Sequence, residues 1–132
     1  MNTNEDLITK FYTAFQQKDY ATMQACYADN ATFSDSIFIG LNATQVKAMW
    51  EMLCKSSAAD FKLEFKNIKS DDDTATAQWT AWYTFSATSR KVVNRIKASF
   101  VIEDGKIVQH ADHFSFYTWA RQAFGLTAVL LG

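Results

Sequence analysis

Several features are missing from this chain of 132 residues, and each absence narrows what the protein can be. It contains no proline and no low-complexity or repeated segment, so we see no linker and expect a single domain over residues 1–132. The first residues lack the basic segment and apolar run of a signal peptide. No apolar run reaches the roughly 18 residues that a membrane span needs. We therefore expect a cytoplasmic protein with no membrane partner.

The chain also has no marked excess of one sign of charge and contains only two cysteines. The chain has 13 basic and 14 acidic residues, for a net charge of −1, and no basic stripe is visible along it. This balance argues against nucleic acid as a partner. The two cysteines, Cys26 and Cys54, form no metal-type pair and fall on apolar faces of predicted helices. We interpret both as reduced core residues.

Aromatic residues, by contrast, are abundant. They make up 15% of the chain, as eleven Phe, five Tyr and four Trp, and 48% of all residues are hydrophobic. A small domain with this many rings either packs them tightly or uses some of them to line an apolar cavity.

The hydrophobic period divides the chain into helices followed by strands. Apolar spacings of three and four predict a helix over 5–17 with Asn4 as its cap, a short helix after Asp19 and a third helix after Asn42. Alternation predicts strands at 31–38, 61–68, 74–88, 91–103 and 106–117, with a hairpin at Asp104-Gly105. A helical turn at 119–124 and an apolar tail at 126–132 follow. This order predicts an α+β fold, in which a curved antiparallel sheet forms a cone around three N-terminal helices and a cavity.

The stretch VQHADHFSF, residues 108–116, contains both histidines of the chain with an aspartate between them. Alternation places His110 and Asp112 on the same face as Phe114 and Phe116, and His113 on the other face. Because phenylalanines favour the core, we expect His110 and Asp112 to face inward and His113 outward. The same reasoning turns Asn94, Asp35 and the row of Trp79 and Tyr83 inward. These polar groups converge on an aromatic cup, as a small-molecule site requires.

Three segments resemble the nuclear transport factor 2-like superfamily. FYTAFQQKDYATMQACYADNATFSDS resembles its opening helix pair with a "YADDATFxDP" run, GLNATQVKAMW resembles its third helix, and RKVVNRIKASFVIEDGKIVQHADHFSF resembles its terminal hairpin. The superfamily includes ketosteroid isomerase, SnoaL-type polyketide cyclases and limonene-epoxide hydrolase. The resemblance covers nearly the whole chain. It implies the fold more strongly than a chemistry, because this fold hosts many activities and many non-enzymes.

Carried over by residue, the resemblance gives mixed indications. Asp35, in an "A-T-x-x-D" run, matches the base of the isomerases, and Asp112 resembles the acid that cyclases and hydrolases use on their last strands. The isomerase tyrosine donor falls on Phe11, however, and its protonated aspartate falls near Ala98. The oxyanion hole of ketosteroid isomerase is therefore missing, and its standard mechanism is disfavoured.

Two classes of function remain open from the sequence. One is a cofactor-free isomerase, cyclase, lyase, hydratase or hydrolase in which Asp35 or Asp112 is the acid or base and His110 assists it. The other is a non-catalytic module that binds a small apolar or aromatic ligand or forms dimers. The candidate ligand-binding residues are Asn94, Tyr83, Trp79, Phe11, Phe33, Phe100 and Phe114. We expect no cofactor and no metal, since His110 and Asp112 supply only two ligands. We also expect a homodimer through the convex face of the sheet, which carries Trp82, Val101 and Val108.

Overall fold

The computed structural model of the chain describes residues 2–125, which form four helices and six strands. In chain order these are α1 (Thr3–Gln16), α2 (Tyr20–Ala25), β1 (Tyr27–Ser34), β2 (Leu41–Asn42), α3 (Ala43–Ser56), β3 (Lys62–Asp71), β4 (Thr74–Phe85), β5 (Arg90–Glu103), β6 (Lys106–His113) and α4 (Phe116–Phe124). None of these helices is long and apolar enough to cross a membrane. The predicted apolar tail at residues 126–132 lies outside the described residues.

The strands form one curved, unclosed sheet in the order β2-β1-β6-β5-β4-β3. Strands β3 to β6 are an antiparallel meander, and β1 lies parallel to β6. The predicted α+β fold is confirmed, and the parallel pair makes the sheet mixed rather than purely antiparallel. The hairpin at Asp104-Gly105 is also confirmed, with the positive φ angles, 51° and 74°, that such two-residue turns require.

Side-chain caps define where the helices begin. Asn42 starts α3 with a reciprocal capping box to Gln45, and Asp19 starts α2, both as predicted. The prediction for α1 was wrong by two residues, because Asn2 rather than Asn4 accepts the backbone N–H of Glu5. The Asn4 side chain instead donates to the carbonyl of Asp72 at the β3–β4 turn.

Two predicted strand boundaries were wrong for local reasons. The strand predicted at 106–117 ends at His113, because the Ser115 side chain accepts the Thr118 N–H and starts α4. The strand predicted at 31–38 occupies Tyr27–Ser34, and a loop follows it. Since β6 ends at His113, which pairs with Lys97, the part of β5 before Lys97 is paired with β4 but has no strand on its other edge. The side chain of Gln122 in α4 satisfies that edge, with hydrogen bonds of 2.8 and 2.9 Å to the N–H and carbonyl of Val93.

The core lies between the helices and the concave face of the sheet. Helix α1 buries Ile8, Phe11, Tyr12, Ala14 and Phe15 against it. The concave face carries bulky residues beside small ones, with Ala77, Ala81 and Ala98 all buried. Cys26 and Cys54 are both buried and free, in agreement with the expected core role.

Candidate functional site

A cavity of about 480 Å³ lies between the C-terminal part of α3, the adjoining loop, and the neighbouring parts of β4, β5 and α4. Seven aromatic side chains line it: Phe15, Trp50, Phe61, Trp79, Tyr83, Phe85 and Trp119. Its polar lining comes from Ser56, Ser57, Thr84, Ser86 and Asn94. No residue that lines this cavity carries a formal charge. The site therefore favours a flat, uncharged molecule over an ionic one.

One hydrogen bond joins α4 to the sheet at this cavity. Trp119 Nε1 donates to the hydroxyl oxygen of Tyr83 over 2.7 Å. Burial raises the pKa of Tyr83, and the hydrogen bond from Trp119 only partly opposes that rise. The hydroxyl thus keeps its proton, and because its oxygen already accepts from Trp119, Tyr83 is left as a donor toward the cavity.

Two further polar groups of the cavity lining have no partner within the described part of the chain. Trp79 Nε1 and Ser57 Oγ are both buried and form no hydrogen bond. Buried polar groups in folded proteins are nearly always hydrogen-bonded, so an unpaired one requires a specific explanation.

Near the cavity, Asp60 has a fully satisfied carboxylate. It accepts the Thr84 N–H over 3.1 Å, the Thr84 hydroxyl over 2.6 Å and the Lys91 ammonium over 3.2 Å. These hydrogen bonds, chiefly those from Thr84, lower the pKa of Asp60 from 3.8 to about 2. The bonds tie the loop after α3 to β4 at Thr84, which itself lines the cavity.

A second polar cluster lies deeper, between the helices and β1 and β6. Trp50 Nε1 donates to the hydroxyl of Tyr27 over 2.8 Å, that hydroxyl lies 2.8 Å from His110 Nδ1, and His110 Nε2 lies 2.9 Å from Asp112 Oδ1. All four side chains are buried, with His110 only 3% and Asp112 only 4% exposed. We call these four residues the His110 cluster.

The donors of the His110 cluster can be assigned from its geometry. Burial raises the pKa of Tyr27 well above its ordinary value, so the phenol stays protonated. Because its oxygen accepts the Trp50 N–H, its own proton is donated to His110 Nδ1. The arrangement that pairs every polar hydrogen of the cluster therefore places a His110 proton on Nε2, from which it is donated to Asp112. Every ring nitrogen in the cluster then has a hydrogen-bond partner within the protein. The cluster is complete without a bound molecule.

The predicted ligand-binding residues separate into two groups. Trp79, Tyr83 and Asn94 line the cavity. Phe11, Phe33 and Phe100 instead surround the His110 ring, with centroid distances of 5.7, 4.9 and 4.3 Å. Phe114 is half-buried against the core beyond the end of β6. The structure therefore has two regions where a single cup was expected. One is the cavity, the other is the closed His110 cluster, and Trp50 belongs to both.

The predicted catalytic residues do not line the cavity. His110 and Asp112 face inward and His113 is exposed, in the phase that alternation predicts, but they belong to the His110 cluster. One premise of that phase was wrong, because Phe116 lies in α4 and is 49% exposed.

The expectation that Asp35 turns inward with them was wrong. Strand β1 ends at Ser34, so strand alternation no longer applies to the next residue. The Asp35 carboxylate instead accepts the N–H groups of Ile37 and Phe38, over 2.8 and 2.6 Å, and stabilises the loop after β1.

Several residues of the site were not predicted. Ser57 follows α3 and Trp119 lies in α4, so strand alternation could not reveal their direction. Phe61 was the first residue of the strand predicted at 61–68, but it lies in the loop before β3. Tyr27 precedes the predicted strand start at residue 31. Trp50 lies in the third predicted helix, where apolar spacing indicates a buried face but not a site. In the described residues, no group of three or more His, Cys, Asp or Glu side chains could hold a metal ion.

Comparisons with known proteins agree with this architecture. The family model of the SnoaL-like domain matches residues 8–110. A search of the curated proteins found no match.

Solved structures share the fold at low sequence identity. An NTF2-like protein of unknown function from Burkholderia pseudomallei has a TM-score of 0.82 at 17% identity, over 94% of this chain and 99% of that one. An LEH-like epoxide hydrolase from M. tuberculosis has a TM-score of 0.75 at 17% identity, over 98% and 96%. TerC, co-crystallized with polyporic acid, has a TM-score of 0.77 at 13% identity, over 92% and 98%. At these identities the likeness shows a shared fold.

Proposed function

Because the chain belongs to the SnoaL-like family, we propose that it binds a small, uncharged aromatic compound in the cavity between α3 and β4. The observation that carries this proposal is the cavity lining, which combines seven aromatic side chains with uncharged polar groups. Aromatic walls favour a flat ligand through stacking and edge contacts, and the absence of charge from the lining disfavours an ion that would lose its hydration there.

The size of the cavity is consistent with this role. Its volume of about 480 Å³ lies within the roughly 300–1,000 Å³ that is usual for small-molecule sites. A relative with the same fold was co-crystallized with polyporic acid, which supports a small-molecule role for the fold in general.

The test of the proposal is a ligand titration. Three of the four tryptophans, Trp50, Trp79 and Trp119, line the cavity, so an aromatic ligand bound there changes the intrinsic fluorescence. The flat aromatic ketone 9-fluorenone is a suitable probe, and native mass spectrometry of the purified protein detects any ligand that it already holds.

A pair of neighbouring substitutions locates the binding. Ala81 is buried on the cavity side of β4, whereas Thr80 points to the convex face of the same strand. We expect Ala81→Leu to weaken binding by at least about tenfold, because the added carbons occupy ligand space, and Thr80→Leu to leave it unchanged. Equal effects of both substitutions would contradict binding in this cavity.

An acid/base enzyme is the second candidate function. The observation that favours it is the buried His110–Asp112 pair, which Tyr27 links to Trp50 in the cavity wall. In this alternative Asp112 is the proton acceptor or donor and His110 assists it; the carboxylate of Asp35 is the other candidate that the sequence indicated. Turnover of a cavity ligand that is abolished by Asp112→Asn without loss of binding would support the enzyme over the simple binding protein.

We also propose a homodimer in the cytoplasm, formed through the convex face of the sheet. Trp82, Val101 and Val108, which the sequence predicts on that face, are half-buried and give it an apolar contribution. Sedimentation at tens of micromolar protein, a rough working range for interfaces of moderate size, should show the dimer. A monomer at that concentration would contradict it.

A further inference from the structure

Three buried side-chain polar atoms have no hydrogen-bond partner in residues 2–125: Tyr12 Oη, Ser57 Oγ and Trp79 Nε1. Two of the three belong to residues that line the cavity. A buried polar group that stays unpaired lowers folding stability, so proteins seldom retain one without a use. Their concentration at one cavity indicates that something bound there completes them.

Trp79 constrains that bound group most strongly, because an indole N–H only donates and cannot accept. Its neighbours on the concave face are apolar. In the register of the sheet, Trp79 lies opposite Phe65 on β3 and Ile96 on β5. The rings of Phe15 and Tyr12 pack at centroid distances of 5.4 and 6.0 Å. Among the described residues no side chain accepts this proton.

The other polar groups of the cavity agree with a ligand that accepts hydrogen bonds. The hydroxyl of Tyr83 already accepts from Trp119, which leaves it a proton to donate. Ser57 can donate or accept, and the lining contains no carboxylate that would seek a donor. Trp79, Tyr83 and Ser57 can thus each donate a proton to a bound molecule, whereas the Ser56 and Thr84 hydroxyls already donate to Met52 and Asp60.

We propose that Trp79 is the specificity-determining residue of the cavity, and that its Nε1–H donates to an acceptor oxygen, such as a ketone carbonyl, on the bound aromatic compound. This inference rests on the proposed function, since it specifies which aromatic compounds the cavity takes. A compound of the same shape without the oxygen leaves the N–H unpaired and binds less well for that reason.

The experiment compares two probes of nearly the same shape. The ketone 9-fluorenone carries one carbonyl oxygen, and fluorene has a CH₂ group in its place. For the unsubstituted protein we expect fluorenone to bind about tenfold more tightly than fluorene. In Trp79→Phe, which keeps an aromatic ring but removes the N–H, this preference should fall to about one.

The control is Trp82→Phe, three residues along β4. Trp82 points to the opposite face of the strand and does not line the cavity, so this variant should keep the tenfold preference. A second measurement requires no substitution in the cavity. In the unsubstituted protein labelled with ¹⁵N, the indole ¹H resonance of Trp79 should move downfield on addition of fluorenone and should not do so with fluorene.

The outcomes separate the two proposals. If neither probe binds, the proposed function falls and this inference falls with it. If both probes bind equally, or if Trp79→Phe keeps the preference, the inference alone is overturned and the aromatic cavity stands.

Discussion

Two aromatic clusters with buried polar groups meet at Trp50, and they differ in whether their hydrogen bonds are complete. In the His110 cluster, Trp50, Tyr27, His110 and Asp112 pair with one another in one continuous chain. In the cavity, on the other side of Trp50, Trp79 and Ser57 are buried and unpaired. The two regions share aromatic packing, so aromatic content alone does not distinguish them.

The difference shows which buried polar groups indicate a binding site. A buried group whose partners are all present stabilises a particular arrangement of the core, because losing one partner leaves the others unsatisfied. A buried group that lacks a partner and lies beside open space is adapted to a partner that comes from outside. Under the proposed function, the His110 cluster serves mainly the integrity of the fold and the cavity serves recognition.

The largest expected effect is on stability, for His110→Ala. The change removes a ring that is 3% exposed, and it leaves the Tyr27 hydroxyl proton and the Asp112 carboxylate without their partner. We expect the free energy of unfolding to fall by about 3–5 kcal/mol, as for other large buried rings. Denaturant titration measures it. His113→Ala, at an exposed position on the same strand, should change stability by less than about 0.5 kcal/mol. Similar losses of stability in His110→Ala and His113→Ala would contradict the structural role of the His110 cluster.

Two buried tyrosines provide the next test. Tyr27 and Tyr12 are 3% and 1% exposed, but only the hydroxyl of Tyr27 is hydrogen-bonded. Tyr27→Phe strands Trp50 Nε1 and His110 Nδ1, and we expect it to cost about 1–3 kcal/mol of stability. Tyr12→Phe removes an unpaired hydroxyl and should be neutral or slightly stabilising. The same equilibrium unfolding measurement decides, and a larger loss for Tyr12→Phe would contradict the hydrogen-bond assignment.

Asp112→Asn addresses the two regions together. The amide oxygen can still accept from His110 Nε2, so we expect a modest loss of about 1 kcal/mol in the free energy of unfolding. Because Asp112 does not line the cavity, the affinity for 9-fluorenone should stay within about twofold. The sequence instead placed Asp112 in the ligand cup, where the same change would act on the ligand directly. If Asp112→Asn changes the affinity for 9-fluorenone by more than about tenfold and leaves stability intact, Asp112 acts on the ligand directly and the separation of the two regions is contradicted.

The smallest expected effect is on the pH dependence of stability, and it concerns Asp60. The carboxylate of Asp60 accepts hydrogen bonds from Thr84 and Lys91, although the residue is exposed. Its pKa is lowered from 3.8 to about 2 in the folded protein. The contribution of Asp60 to stability is therefore present above the unfolded pKa and is lost as the pH falls from about 4 toward 2. Asp60→Asn should flatten the dependence of stability on pH in that window. A carboxyl titration by NMR with a midpoint near the ordinary value would contradict the assignment.

The elements that the sequence predicted well have strong local signals. Asn42 and Asp19 cap their helices, Asp104-Gly105 turns the last hairpin, and alternation places His110 and Asp112 inside. These depend on residues close together in the chain, whose geometry follows from side-chain caps, turn preferences and a period of two.

The features that the sequence did not reveal depend on long-range contacts or on competing local bonds. The parallel pairing of β1 with β6 joins segments about eighty residues apart, and no local pattern encodes it. Asp35 was misplaced because its carboxylate binds loop amides rather than continuing the strand. The cavity depends on where α4 docks, which is set by the bonds from Gln122 and Trp119 to β5 and β4. Alternation could identify Trp79, Tyr83 and Asn94, but it could not show that they and His110 face different spaces.

The most direct test of the central claim is a crystal structure of the protein with 9-fluorenone bound. The account predicts that the ligand lies in the cavity beside Phe61 and Tyr83, with its carbonyl oxygen within hydrogen-bond distance of Trp79 Nε1, and that the His110 cluster is unchanged. A ligand found against His110 and Asp112 instead, with the Tyr27 hydroxyl displaced from His110, would contradict it.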